Sequence, residues 1–221
     1  MDDTDLLIRS WHRAWSGLGA SGNGDGARDE LIARYNEPGR HYHTVRHLAD
    51  CLAVFEPVYF LARHPAEVEM ALWFHDAIYD VTRNDNEERS AELARLTLLS
   101  GGVDAAAANR VADLVRATGH TCTPADNDAR LLVDIDLSIL GAPRTRFIEY
   151  EAQVREEYAF VPEAVFWNKR RSILQGFLDR TFIYTTPHFR AIYEQGARSN
   201  IAWSISESGM ERAPGTGTRH G

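Results

Sequence analysis

Cysteine is scarce in this 221-residue chain: only Cys51 and Cys122 are present, and they stand in no spaced metal motif. A disulfide framework needs more cysteines in a smaller chain, so the core must hold without covalent staples and a reduced cytoplasm is the expected compartment. Long apolar runs are missing too, none approaching the roughly 18 residues of a membrane span. The amino terminus, Met1-Asp2-Asp3-Thr4-Asp5, is acidic where a secretory signal would be basic. There is no basic excess either. The net charge of −8 argues against general affinity for nucleic acid or anionic membrane, so a phosphorylated substrate would have to meet a locally positive pocket. Residues 17–26 carry five glycines but lack the closing Gly-Lys-Ser or Gly-Lys-Thr of a phosphate-cradling loop, and read as a flexible connection. Strand alternation of useful length and internal repeats are also absent.

What the chain does contain is helical periodicity, and 44% hydrophobic residues are enough for a real core in one domain of this length. Leu6, Leu7, Trp11 and Trp15 predict an opening helix over about 5–18, and 28–35 a second, short one. Leu48, Cys51, Leu52, Phe55 and Tyr59 form the inward stripe of a helix over about 43–59. Pro65 opens the next, whose apolar face is Met70, Ala71, Phe74 and Ile78. After a loop over 81–86, helices follow over 87–99, from the Asp104 cap to Ala117, and over 129–140, the last apolar nearly all round. Pro143, Pro162 and Pro187 punctuate three more. The expected fold is all-α, about eight or nine helices in a single domain over 1–205, with a disordered tail over 206–221 rich in Gly, Thr, Pro and charge.

Chemistry-bearing residues concentrate between Arg40 and Asp76. Arg40-His41-Tyr42-His43-Thr44-Val45-Arg46-His47 places two histidines four apart, on one face if the segment is helical, and Trp73-Phe74-His75-Asp76 adds an adjacent pair on a second helix. His75 falls within an apolar face and is expected to be buried. Imidazoles and a carboxylate together suit a divalent ion of the intermediate kind. The buried helix over 129–140 carries Asp134 and Asp136, and a carboxylate in an apolar interior must be neutralised, paired or metal-bound. At about 100° per residue the two lie about 200° apart around the helix, so one is expected to ligate and the other to pair locally.

This ordered set, His47, then His75-Asp76, then a distant Asp on a helix, resembles the HD superfamily of metal-dependent phosphohydrolases. Tyr42-His43-x-x-x-His47 is similar to the segment in which cyclic-nucleotide phosphodiesterases of that superfamily place a catalytic histidine before a metal ligand. The wider run, including residues 86–90 and 133–141, is similar to a bacterial group described as predicted HD phosphohydrolases, and the resemblance covers roughly residues 30–200. It implies a single HD-type helical bundle, with His47, His75, Asp76 and Asp136 as ligands of a divalent ion (Mn, Fe, Co, Ni, Zn or Mg). It also implies a metal-activated water attacking a small phosphorylated metabolite or nucleotide. Asp76 would orient that water or accept its proton, and His43 would protonate the leaving oxygen. Arg40, Arg46, Lys169, Arg170 and Arg171 are candidate cations for the phosphoryl oxygens. His120 is the only histidine between the His-Asp pair and Asp136, where two-metal members generally have more, so one ion is expected. The alternatives on the same fold are a di-iron oxygenase and a non-catalytic metal-binding module. Trp73, Phe74 and Tyr79 are read as core, and His41 as structural.

Overall fold

The spacing of Leu6, Leu7, Trp11 and Trp15 is realised as the buried face of helix α1 (Asp3–Gly17) in the computed structural model, which describes residues 3–119, 124 and 126–206. There follow α2 (Asp25–Tyr35), α3 (Val45–Phe55), α4 (Pro65–Phe74), α5 (Asn86–Ser100), α6 (Ala105–Ala117), α7 (Asn127–Asp136), α8 (Arg144–Glu157), α9 (Glu163–Leu178) and α10 (Pro187–Ile205). Short 3-10 segments run over Glu56–Leu61 and Leu137–Gly141. Among the described residues there is no strand, and the all-α expectation holds. Among the described residues there are ten α-helices, slightly more than the expected eight or nine. Contacts divide the chain into two units, Met1–Asp136 and Leu137–Gly221. Residues 207–221, most of the expected tail, lie outside the described residues, as do His120 and Cys122. No helix among the described residues is long and apolar enough to cross a membrane.

In the first unit α4 is the central element. Every residue from Glu67 to Phe74 is buried, so this helix has no solvated face. Two of those residues are carboxylates, and each is paired as burial demands. Glu69, fully buried, accepts from Arg13 Nε at 2.9 Å, and Glu67 from Arg110 Nε at 2.9 Å. Trp73 lies edge-on to Trp11, with ring centroids 5.1 Å apart, and donates its indole N–H to Ser10 Oγ at 3.0 Å. Trp11 in turn stacks on Trp15 at 5.2 Å. Pro65 occupies the first turn of α4, where its missing N–H costs nothing. The central helix is therefore clamped along its length, and whatever sits at its carboxyl end is held firmly.

The glycine-rich connection after α1 is tied down by the same tryptophans. Trp15 Nε1 donates to Ser21 O and Trp11 Nε1 to Asn23 O, both at 3.0 Å. Gly24 sits at φ 66°, and a Cβ there would lie 2.6 Å from the Trp15 ring.

The second unit closes on small residues. A Cβ on Gly196 in α10 would lie 2.9 Å from Gly141 O, at the end of the 3-10 segment. Asn200 Nδ2 donates to Leu140 O and Ala142 O, both at 2.8 Å, which satisfies carbonyls left open at that helix end. Arg170 and Glu151 form a buried ion pair, Nε to Oε1 3.0 Å, completed by Ser204 Oγ donating to Glu151 Oε2 at 2.7 Å.

Gly24→Ala should destabilise the protein by about 2–3 kcal/mol, because left-handed strain adds to a clash with a ring that cannot move. Gly22→Ala, also at positive φ but with nothing within 4 Å of the new Cβ, should cost only about 1 kcal/mol. Urea denaturation of the two variants checks the difference, and equal losses would contradict it.

Candidate metal centre

The donors of the centre sit at helix ends. Thr44 stands at the N-cap position of α3 in extended conformation, φ −110° and ψ 179°, with its hydroxyl donating to Tyr42 O at 3.4 Å rather than capping the helix. His47 therefore lies in the first turn of α3. His43 falls in the turn before it, a departure from the expectation that both histidines share one helical face. The two rings still approach, with centroids 5.8 Å apart. At the far end of α4 the last helical residue is Phe74, and His75 and Asp76 occupy the closing turn rather than the helix body. Asp136 is the last residue of α7, where the chain tightens to a 3-10 helix; the expected continuous helix to Leu140 is interrupted there.

These ends converge within the first unit. His47 Nε2 lies 3.0 Å from His75 Nε2, 3.5 Å from Asp76 Oδ2 and 3.3 Å from Asp136 Oδ1. His75 Nε2 lies 3.2 Å from Asp76 Oδ2 and 3.7 Å from Asp136 Oδ1. Nitrogen and oxygen donors bound at about 2.0–2.2 Å to one ion, at tetrahedral or octahedral angles, lie about 2.8–3.6 Å from one another. The five separations that involve an imidazole nitrogen run from 3.0 to 3.7 Å, so the two histidines can share a single metal ion with either carboxylate with little movement.

The tautomers fit as well. His75 Nδ1 is 2.7 Å from Leu72 O, a carbonyl left open near the end of α4. A carbonyl only accepts, so the hydrogen is on Nδ1 and the Nε2 lone pair is turned to the cluster, as metal-ligating imidazoles require. Cys51 belongs to a set with His47, His75 and Asp136 whose ligand atoms lie within 4.8 Å of one another. Its sulfur, however, is 3.8 Å from both nitrogens of His47. A donor sharing an ion with Nε2 comes closer to Nε2 than to Nδ1, so equal distances put the sulfur beside the ring instead of in front of the lone pair. Burial, reinforced by the charges of Asp136 and Asp76, pushes the Cys51 thiol up, which keeps it protonated.

Electrostatics show what the cluster does without an ion. Burial works against a charged His75, but the Asp76 carboxylate overrides it and raises the imidazole to about 9. Burial likewise opposes ionisation of Asp76, yet the surrounding histidines, His75 first, hold it well below the usual carboxylate range. A proton thus takes the place that a cation would fill.

The remaining candidates are placed as follows. Arg40 is buried, and its guanidinium donates to His43 O, Asp76 O, Glu37 Oε2 and Ala77 O. Arg46 is exposed on α3. Lys169 and Arg171 are exposed on α9 in the second unit, and Arg170 is spent on Glu151 there. Asp134 is fully buried. Trp73 and Phe74 are core, as read from the sequence, whereas Tyr79 is half-buried and stacks on His43 with centroids 4.2 Å apart. Neither the Tyr79 stack nor the Cys51 position has a sequence signal beyond proximity along the chain. No protein-family model, curated protein or solved structure matches the chain.

For the metal-free protein a pH dependence follows. The folded His75 pKa of about 9 exceeds the ordinary 6.5, so its stabilisation is complete below pH 6.5 and disappears as pH rises to about 9. The loss should be on the order of 3 kcal/mol, and Asp76→Asn should flatten the profile. Urea midpoints of chelator-treated protein across this range measure it, and stability constant from neutral to alkaline pH would contradict it.

Proposed function

We propose that His47, His75, Asp76 and Asp136 bind one divalent metal ion. We further propose that the chain is a metal-dependent phosphohydrolase of the HD type, acting on a phosphate ester or anhydride of a small metabolite or nucleotide. The observation that carries this reading is the meeting of two imidazole nitrogens and two carboxylate oxygens, drawn from three helix ends, at separations of 3.0–3.7 Å. It is supported by the resemblance of the His47, His75-Asp76, Asp136 order to the HD superfamily. An all-nitrogen-and-oxygen set of this kind suits manganese, iron, cobalt, nickel or zinc. Such an ion supplies Lewis acidity toward a water molecule and a phosphoryl oxygen.

The protein's own groups do the rest. Asp76, ionised through the neutral range, accepts a hydrogen bond from the attacking water and orients it; its depressed pKa makes it a weak base. The proton lost by the water therefore passes to solvent, from which His43 is reprotonated after each turnover. His43, held against the Tyr79 ring and close enough to Asp76 to stabilise its charge, donates the proton to the leaving oxygen. Charge growing on the peripheral oxygens calls for a cation. Arg46, exposed on the first turn of α3, takes that role. Arg40, buried against main-chain carbonyls, does not.

Elemental analysis of the purified protein, coupled to a phosphate-release screen over nucleotides and sugar phosphates, tests the reading. About one ion per chain is expected, with release abolished in Asp76→Ala and lowered roughly 10²–10⁴-fold in His43→Ala at unchanged metal content. Metal without turnover on any phosphorylated compound would leave a binding module, and two irons with an oxygen requirement would move the assignment to an oxygenase.

A further inference from the structure

Arg40 looks from the sequence like a phosphate-binding arginine, and the structure gives it other work. Its side chain is only 2% exposed. Nη1 donates to His43 O at 3.2 Å and to Asp76 O at 2.6 Å, and Nη2 to Ala77 O and Glu37 Oε2, both at 3.2 Å. The guanidinium lies between two rings, 5.3 Å from the Tyr35 centroid and 5.5 Å from that of Tyr79, and Tyr79 in turn stacks on His43. The other side of the Asp76 peptide is held too. Its N–H donates to Tyr35 Oη at 3.3 Å, and that hydroxyl donates to Trp73 O at 3.3 Å.

Resting on the metal reading above, we propose that Arg40 is a positioning residue that ties the main chain of His43 to that of Asp76, fixing the proton donor against the metal-binding turn. Burying a guanidinium is expensive and is tolerated only with good hydrogen bonds. Here the planar fork reaches His43 and Asp76, 33 residues apart along the chain, and fills the slot between two rings. Lysine cannot copy this, because an ammonium is a compact point charge without a face to stack or a fork to span two carbonyl groups. Groups that orient metal ligands from behind typically cost 10–100-fold in metal affinity when removed. The ligand turn is anchored here through the Asp76 backbone, so the same scale is expected.

The experiment compares wild type with Arg40→Lys by calorimetric titration of the metal-free protein with Mn²⁺, then of the metal-saturated protein with inorganic phosphate, alongside thermal melts. Arg40→Lys should bind Mn²⁺ about 10–100-fold more weakly while its metal-saturated form keeps wild-type phosphate affinity. Weakened phosphate binding at intact Mn²⁺ affinity would make Arg40 an anion ligand and overturn the proposal, as would no change in either. If the Arg40→Lys melt collapses, Tyr79→Leu removes one wall of the slot. A several-fold loss of Mn²⁺ affinity there supports the clamp, and wild-type affinity overturns it. Wild-type protein that takes up no Mn²⁺ would remove the metal reading and this proposal with it, whereas tight wild-type binding matched by Arg40→Lys would remove the proposal alone.

Discussion

Two imidazole nitrogens 3.0 Å apart, His47 Nε2 and His75 Nε2, face each other in a buried pocket flanked by two carboxylate oxygens. Lone pairs repel at that distance unless something positive stands among them. Without an ion the proton on His75 plays the part, which is why burial fails to strip it and Asp76 keeps it to about pH 9. That compensation shapes the surroundings. Leu72 O fixes one tautomer, Tyr35 and Arg40 hold the Asp76 peptide, and Tyr79 holds His43. The groups near the centre are spent on its geometry.

Rigidity reaches the pocket through helix ends. A residue in mid-helix points where the helix face points, but one at a terminus can leave the helical path and still be anchored to it. His47 in the first turn of α3, His75 and Asp76 past the last turn of α4, and Asp136 at the close of α7 all use this freedom. Helix α4, buried from Glu67 to Phe74 and stapled by Arg13 and Arg110 through its two internal glutamates, supplies the fixed point. Helix ends also provide open carbonyls, and those of Leu72, Asp76 and Ala77 are used to orient side chains of the centre.

Much of this is legible in the chain before any coordinates. The tryptophan spacing in α1, proline at the start of α4 and the apolar run Leu131-Leu132-Val133 in α7 are local patterns that local physics reads. Candidate donors stand out in the sequence by order and type, and the roughly 200° between Asp134 and Asp136 lets only one of the two face a shared site. Arg40 was out of reach because its partners are main-chain oxygens of residues 43, 76 and 77, and backbone acceptors carry no sequence signature. His43 lies before the helix because the backbone is extended at Thr44, a choice between two allowed conformations that periodicity does not decide. Cys51 fell on the inward stripe as read, but only distances to both ring nitrogens separate a neighbour of His47 from a ligand. The division at Asp136 likewise depends on tertiary contacts, for no change of composition marks it.

The central claim is that these four side chains, and no sulfur, grip one cation. X-ray absorption spectroscopy of the zinc-loaded protein reports the ligand atoms directly. The account predicts a shell of nitrogen and oxygen donors with the outer-shell signature of two imidazoles, unchanged in Cys51→Ser. A sulfur donor in the first shell, or a shell without imidazole, would contradict it.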